Sequence, residues 1–190
     1  ELFLLNRIDS PTSGLVLAAL DEETAAQGRQ AFANGEVDKT YYALVLGRPR
    51  PPSGVWADRL MRQPAGRGGG GVRMMLGGPN APGALAKTNY TCLGSNPNAG
   101  AMLSFLRLEP VTGRTHQLRV QCGAHRSPIV GDATYGDFPF NHEFGRRTGH
   151  KRLFLHAARI RLRGLNFTAE SPLPREFSAA FGKELAAEKS

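Results

Sequence analysis

The chain of 190 residues contains no run approaching the roughly 20 consecutive apolar residues that a membrane-spanning helix requires. It has only two cysteines, Cys92 and Cys122, with no metal-ligand spacing. That excludes a disulfide framework and reads as free, mostly buried thiols in a reducing cytoplasm. The five histidines, His116, His125, His142, His150 and His156, form no zinc pattern such as HxxxH beside a cysteine pair, so no metal is expected. No basic-then-apolar secretion signal is visible, and no internal repeat. The first residue is Glu1 rather than Met, so the residues are expected to begin inside a longer product.

What remains is the composition of an ordinary soluble domain, 41% hydrophobic and 21% charged. The length suits one domain over 1–190, with at most a small appendage. Lysine and arginine number 24 against 16 acidic residues, a net charge of +8. An excess of that size favours a polyanionic partner, nucleic acid before membrane surface. A charge that only keeps the protein soluble is the plainer alternative.

Leu15 to Leu20 is a continuous apolar run that reads as a buried strand. Asp21 can cap a helix over Glu22 to Ala33, which Asn34-Gly35 stops. A second strand is expected over Tyr41 to Leu46 with both faces covered, then a turn over Pro49 to Ser53. Gly66 to Gly83, with Arg67 and Arg73, is too poor in apolar pattern to pack and reads as a mobile basic loop. Strands return at Lys87 to Leu93 and Met102 to Leu108, and a short helix capped by Thr115 is expected over His116 to Gly123. Arg152 to Arg163 reads as a long strand or strand pair, Phe177 to Lys189 as a terminal helix. Without regular βα alternation, this order predicts an α+β fold around a mixed, mostly antiparallel sheet with flanking helices.

Three segments carry candidate chemistry. Asp9 is followed by Ser10-Pro11-Thr12-Ser13-Gly14, a tight loop ahead of an apolar run. A carboxylate on rigid backbone there suits a nucleophile or base, although Asp-Ser-Pro also serves simply to close turns. Tyr41, near the start of a central strand, can offer a base a flat face and a hydroxyl, or be an ordinary core aromatic. In Gly113-Arg114-Thr115-His116-Gln117-Leu118-Arg119, a spacing of three places His116 and Arg119 on one helix face. Arg119 can hold a carboxylate in fork geometry; a solvated basic face is the alternative for Arg114 and Arg119.

Together these segments resemble the RNA pseudouridine synthases typified by the ribosomal large-subunit synthase A. Asn6-Arg7-Ile8-Asp9 with Thr12-Ser13-Gly14 is similar to that family's His-Arg-Leu-Asp-x-x-Thr-Ser-Gly. Lys39-Thr40-Tyr41 with Ala43, Val45 and Gly47 follows its Lys-x-Tyr-x-Ala-x-Val-x-Gly. Gly113 to Arg119 matches Gly-Arg-Thr-His-Gln-Leu-Arg, and Pro128-Ile129-Val130-Gly131-Asp132 with Tyr135-Gly136 matches Pro-Ile-x-Gly-Asp-x-x-Tyr-Gly. Leu153 to Ala157 matches a fifth element, so the likeness runs from about Asn6 to Ala157.

The resemblance implies isomerisation of uridine to pseudouridine in ribosomal or transfer RNA, in the cytoplasm, by a monomer that needs no cofactor and no metal. It implies Asp9 as the catalytic aspartate, Tyr41 as the active-site tyrosine and Arg119 as the partner of the aspartate. It makes Arg7 the residue that fills the gap left by an extruded uridine. Lys39, Arg114, His116, Arg67 and Arg73 are the expected further contacts to RNA. Asn6 stands where the family has His and cannot titrate; Ile8 for Leu conserves volume. The family also has a strand and a Lys-Pro-x-Gly segment ahead of the aspartate loop. These residues start after it, so one sheet edge is expected to be incomplete.

Two rivals belong to other classes. An inactive RNA-binding protein of this fold would share the basic charge, but loss of function usually strikes residues such as Asp9, Tyr41 and Arg119 first. A glycoside hydrolase would call for a second carboxylate as general acid, which none of the motifs is expected to supply.

Overall fold

Tyr42, Ala43, Leu44 and Val45 are all buried because the strand that carries them is covered on both faces. That strand, β4 (Val37–Leu46), begins four residues earlier than the apolar pattern suggests. Its side chains alternate between two cores, as the period of two requires. Tyr42 and Leu44 pack with Phe105, Phe144, Phe154 and Phe177, while Ala43 and Val45 pack with Trp56, Leu106, Leu118 and Cys122.

The computed structural model describes residues 1–63, 72–78 and 81–185. The other strands of the main sheet are β5 (Ser53–Arg62), β6 (Met74–Gly77), β7 (Ala84–Asn98), β8 (Ala101–Pro110), β9 (Leu155–Leu162) and β10 (Phe167–Glu170). Their order is β10-β9-β4-β8-β7-β5-β6, with every neighbouring pair antiparallel. The short strand β2 (Ser13–Gly14) adds a parallel pairing on β9 and makes the sheet mixed. A separate two-stranded piece joins β1 (Phe3–Leu4) to β3 (Ala18–Ala19). Helices α1 (Glu22–Ala33), α2 (Gln117–Ala124), α3 (Phe138–Thr148) and α4 (Arg175–Phe181) flank the sheets. The expected α+β class with a mostly antiparallel sheet is the observed one. Among the described residues no helix is long and apolar enough to cross a membrane.

Several local expectations need correction. Leu15 to Leu20 is not one buried strand: the chain leaves β9 after the Leu15 N–H, which donates to the Ala157 carbonyl, joins the β1 segment from the Leu17 carbonyl onward, and leaves Val16 and Leu20 exposed. Within the stretch read as a loop over Gly66 to Gly83, Met74–Gly77 forms β6 and pairs with Arg59–Arg62 of β5. Leu76 and Met74 pack there on Leu60, so the hydrophobic pair outweighs the glycine-rich surroundings. Arg67 and most of the glycines of that stretch lie outside the described residues. The last helix is shorter than Phe177 to Lys189, because Gly182 takes a left-handed conformation (φ 75°) and ends it after Phe181. Helix α2 has no side-chain cap from Thr115; its cap position is His116, itself left-handed at φ 55°. Helix α3 and strand β5 carried no expectation. Asp137 caps α3 by accepting from the Phe140 N–H, and Trp56 and Leu60 are the buried anchors of β5.

Candidate active site

The loop from Asn6 to Gly14 is held from both ends. Asn6 Oδ1 accepts from the Leu17 N–H at 2.6 Å, so this residue acts as a backbone staple, a task that requires no titrating group. At the other end Ser13 and Gly14 pair with His156 and Ala157 of β9. Gly14 sits at φ 113°, and a Cβ there would lie 2.2 Å from the Ala157 carbonyl oxygen, so only glycine permits the approach. Ser13 Oγ meets the buried His156 at Nδ1, 2.9 Å, and accepts from the Arg152 guanidinium. The other ring nitrogen of His156 faces the Ser171 carbonyl at 3.3 Å. A carbonyl can only accept, so that nitrogen carries the proton and Nδ1 accepts from Ser13.

Inside this frame Asp9 both closes a turn and presents its carboxylate to another side chain. Its backbone carbonyl closes a turn by accepting from the Thr12 N–H at 2.8 Å. Its carboxylate is thereby left to side-chain chemistry and accepts from Arg119 Nη1 at 3.3 Å, across 110 residues of sequence. The two line one cavity of about 500 Å³ together with Tyr41, Lys39, Arg7, Arg114 and His116. Tyr41 comes from β4 at a register shift between Thr40 and Tyr41, a local irregularity of the kind that re-aims a side chain. Burial, aided by the negative charge of Asp9, pushes its phenol up to about 12, so it stays neutral at physiological pH and keeps its O–H. Burial also lowers the Lys39 ammonium from its ordinary value.

Arg119 holds a carboxylate in fork geometry, and that carboxylate belongs to Asp132. Its fork does not hold Asp9; Nε and Nη2 each donate to Asp132 at 2.8 Å. Asp132 was not singled out from the sequence, although it stands in the Pro-Ile-x-Gly-Asp segment that was. A readable signal precedes it: Gly131 is left-handed at φ 78°, and a Cβ there would fall 1.8 Å from the Arg152 carbonyl oxygen, marking a tightly built loop. Burial pushes the Asp132 carboxyl up, but the Arg119 guanidinium and the Tyr135 and Thr134 N–H groups outweigh it and hold the group below its ordinary value. The Tyr135 ring lies 5.2 Å beneath the Arg119 guanidinium, and its hydroxyl meets His116 Nδ1 at 2.7 Å. That hydroxyl also accepts from the Met74 N–H at 2.9 Å, tying β6 to the cavity.

The remaining expected contacts are less unified. Arg7 and Arg114 are exposed at the cavity, and Arg114 donates to the Leu85 carbonyl at 3.2 Å. His116 faces the cavity from the cap of α2 rather than from the helix face it was expected to share with Arg119. Arg73 is exposed beside β6 and does not line the cavity, though its neighbour Val72 does. Arg67 lies outside the described residues.

Residues 1–124 match the sequence family described as RNA pseudouridylate synthase. A tRNA pseudouridine synthase C of Vibrio cholerae serotype O1 is 34% identical over 179 residues, covering 85% of this chain and 66% of that protein. A ribosomal large subunit pseudouridine synthase C of Vibrio vulnificus is 32% identical over 185 residues, covering 97% of this chain and 53% of that protein. The chain thus spans between half and two thirds of the length of these relatives. Among solved structures, human RNA pseudouridylate synthase domain containing 1 superposes with a TM-score of 0.76 at 30% identity, covering 92% of this chain and 69% of that one.

Proposed function

This chain belongs to the RNA pseudouridylate synthase family, and on that premise we propose that it converts uridine within RNA to pseudouridine at Asp9. The observation that carries the reading is the meeting of Asp9 with Arg119 in a cavity that also holds Tyr41. The reaction breaks the N1–C1′ bond, turns the uracil, joins C5 to C1′ and releases the proton from C5. It asks for a carboxylate beside the ribose, as nucleophile at C1′ or as base at C2′. Asp9 occupies that role, oriented by Arg119, while Tyr41 supplies an uncharged ring and hydroxyl to the uracil.

The uridine must leave its stack to enter the cavity, which costs a few kcal/mol in a duplex and less in a loop. Arg7, exposed at the mouth, is placed to fill the space it vacates. Lys39, Arg114 and His116 at the cavity, with Arg73 beyond it, supply positive charge and donors for the phosphates, and Arg67 is proposed to add to that charge. Ribosomal and transfer RNA are the proposed partners, following the names of the two bacterial relatives. The free thiols of Cys92 and Cys122 suit a reducing compartment, so the cytoplasm is the proposed place of action, with the protein working as a monomer.

Replacing Asp9 by Asn tests the reading, since it keeps size and most hydrogen bonding but removes the charge. Tritium release from RNA labelled at uridine C5 should drop to background while RNA affinity stays within about tenfold, or ~1.4 kcal/mol. Near-normal release by the variant would leave Asp9 as a turn former, whereas no release by the wild-type protein would favour an RNA-binding role instead.

A further inference from the structure

A guanidinium paired with one carboxylate normally grips it through two parallel hydrogen bonds. Arg119 has that grip on the wrong aspartate for chemistry. The fork holds Asp132 at 2.8 Å through both bonds, and Asp9 receives one longer bond of 3.3 Å from the remaining Nη1. We infer that Asp132 is a positioning residue for the reaction: it fixes the plane of Arg119 and offsets its charge, so that Asp9 is oriented without being locked in a tight ion pair. The inference rests on the proposed isomerisation at Asp9 and assigns a role to an acid outside the cavity lining.

The geometry argues for a built device. The Asp132 side chain is 1% exposed and that of Arg119 5%, against 25% for Asp9. Asp132 Oδ1 also accepts from the Thr134 and Tyr135 N–H groups at 2.8 and 3.0 Å, so it cannot swing away. The segment is fixed in turn by Asn141 of α3, which accepts from the Gly131 N–H at 2.8 Å and donates to the Asp132 carbonyl at 3.1 Å. With the Tyr135 ring beneath it, the guanidinium has one edge left, and that edge points to Asp9.

The charge count explains why two acids serve one arginine. An ion pair stabilises the resting carboxylate, and stabilisation that is lost on the way to the transition state slows the step that consumes it. With Asp132 offsetting its charge, Arg119 directs Asp9 through one hydrogen bond while leaving it free to approach the ribose. Without Asp132 the full cationic charge and the vacant fork fall to Asp9. A carboxylate that merely compensates a buried arginine would predict lost stability and nothing else.

Asp132→Asn keeps the size and one acceptor. The assay is single-turnover tritium release, with the full chain in excess over 5-tritiated total RNA from cells lacking the gene. The saturated rate should fall by on the order of tenfold or more while the half-saturating enzyme concentration moves less than about threefold. A saturated rate within twofold of wild type would overturn the inference. Should Asp132→Asn not fold, Asn141→Ala loosens the same carboxylate from outside the cavity. It should lower the saturated rate at least about threefold with half-saturation unmoved, and an unchanged rate would count against the role of Asp132. Wild-type protein that releases no tritium would defeat the proposed activity itself, whereas normal wild-type release with an indifferent Asp132→Asn defeats only this inference.

Discussion

The two regions that bracket the cavity are held in opposite ways. The loop bearing Asp9 is clamped by backbone pairing to β9, by a glycine without room for a methyl group, and by the Ser13–His156 bond. The β5–β6 hairpin, on the other side, ends the main sheet and pairs along one edge only. Its link to the cavity runs through the Tyr135 hydroxyl, supported by the small cluster of Leu60, Val120, Met74 and Leu76. A carboxylate that must meet one atom gains from a rigid mount, whereas a surface that must accommodate an RNA backbone gains from a lighter one.

The rigid side should break most sharply at Gly14. Alanine there meets both the left-handed backbone and the Ala157 carbonyl, and should cost about 3 kcal/mol or more. Chemical denaturation should show this as a lower midpoint, with tritium release lost even where the variant still folds. A stable, active Gly14→Ala protein would mean that the loop is not clamped as described.

The same clamp should be sensitive to acid. Burial holds the His156 imidazole below its ordinary value of 6.5. Between the two values the unfolded chain binds a proton that the folded chain refuses, so the neutral imidazole contributes fully above about pH 7. That contribution should drain away as pH falls from 6.5 towards the depressed folded value. Thermal midpoints should therefore decline from pH 7 to pH 5, by roughly 2–4 °C for each kcal/mol lost. His156→Gln should flatten that part of the profile; an equal decline in the variant would place the titration elsewhere.

The hairpin should yield the smallest effect. Tyr135→Phe keeps the ring beneath Arg119 but removes the hydroxyl that joins Met74 to His116. A loss of about 1 kcal/mol in stability is expected, together with weaker RNA binding at low salt and a saturated rate changed by less than about threefold. A large fall in that rate with binding intact would show that the hairpin steers chemistry and would erase the contrast between the two sides.

Much of the architecture was legible because local chemistry agreed with it. Asp21 and Asn34-Gly35 bracket α1, and the apolar run in β4 marks a strand with both faces covered. Strand β5 was not legible, since only Trp56 and Leu60 of its ten residues are buried and Gly54 and Asp58 interrupt the apolar set on their face. Leu15 to Leu20 misled for the reverse reason: an apolar run states a preference for burial, but the backbone leaves β9 after the Leu15 N–H and crosses to β1.

For the candidate site, sequence alone determined the set of residues worth considering, Asp9, Tyr41 and Arg119 among them, because ordered motifs are a property of the chain. It also determined the net charge of +8, which needs no coordinates. Tertiary structure alone decided how Arg119 divides its donors between Asp132, 13 residues away, and Asp9, 110 residues away. A sequence names which groups can bond. Only the packing of α2 against the Asp132 turn and the β9-anchored loop sets the distances and angles that choose among them.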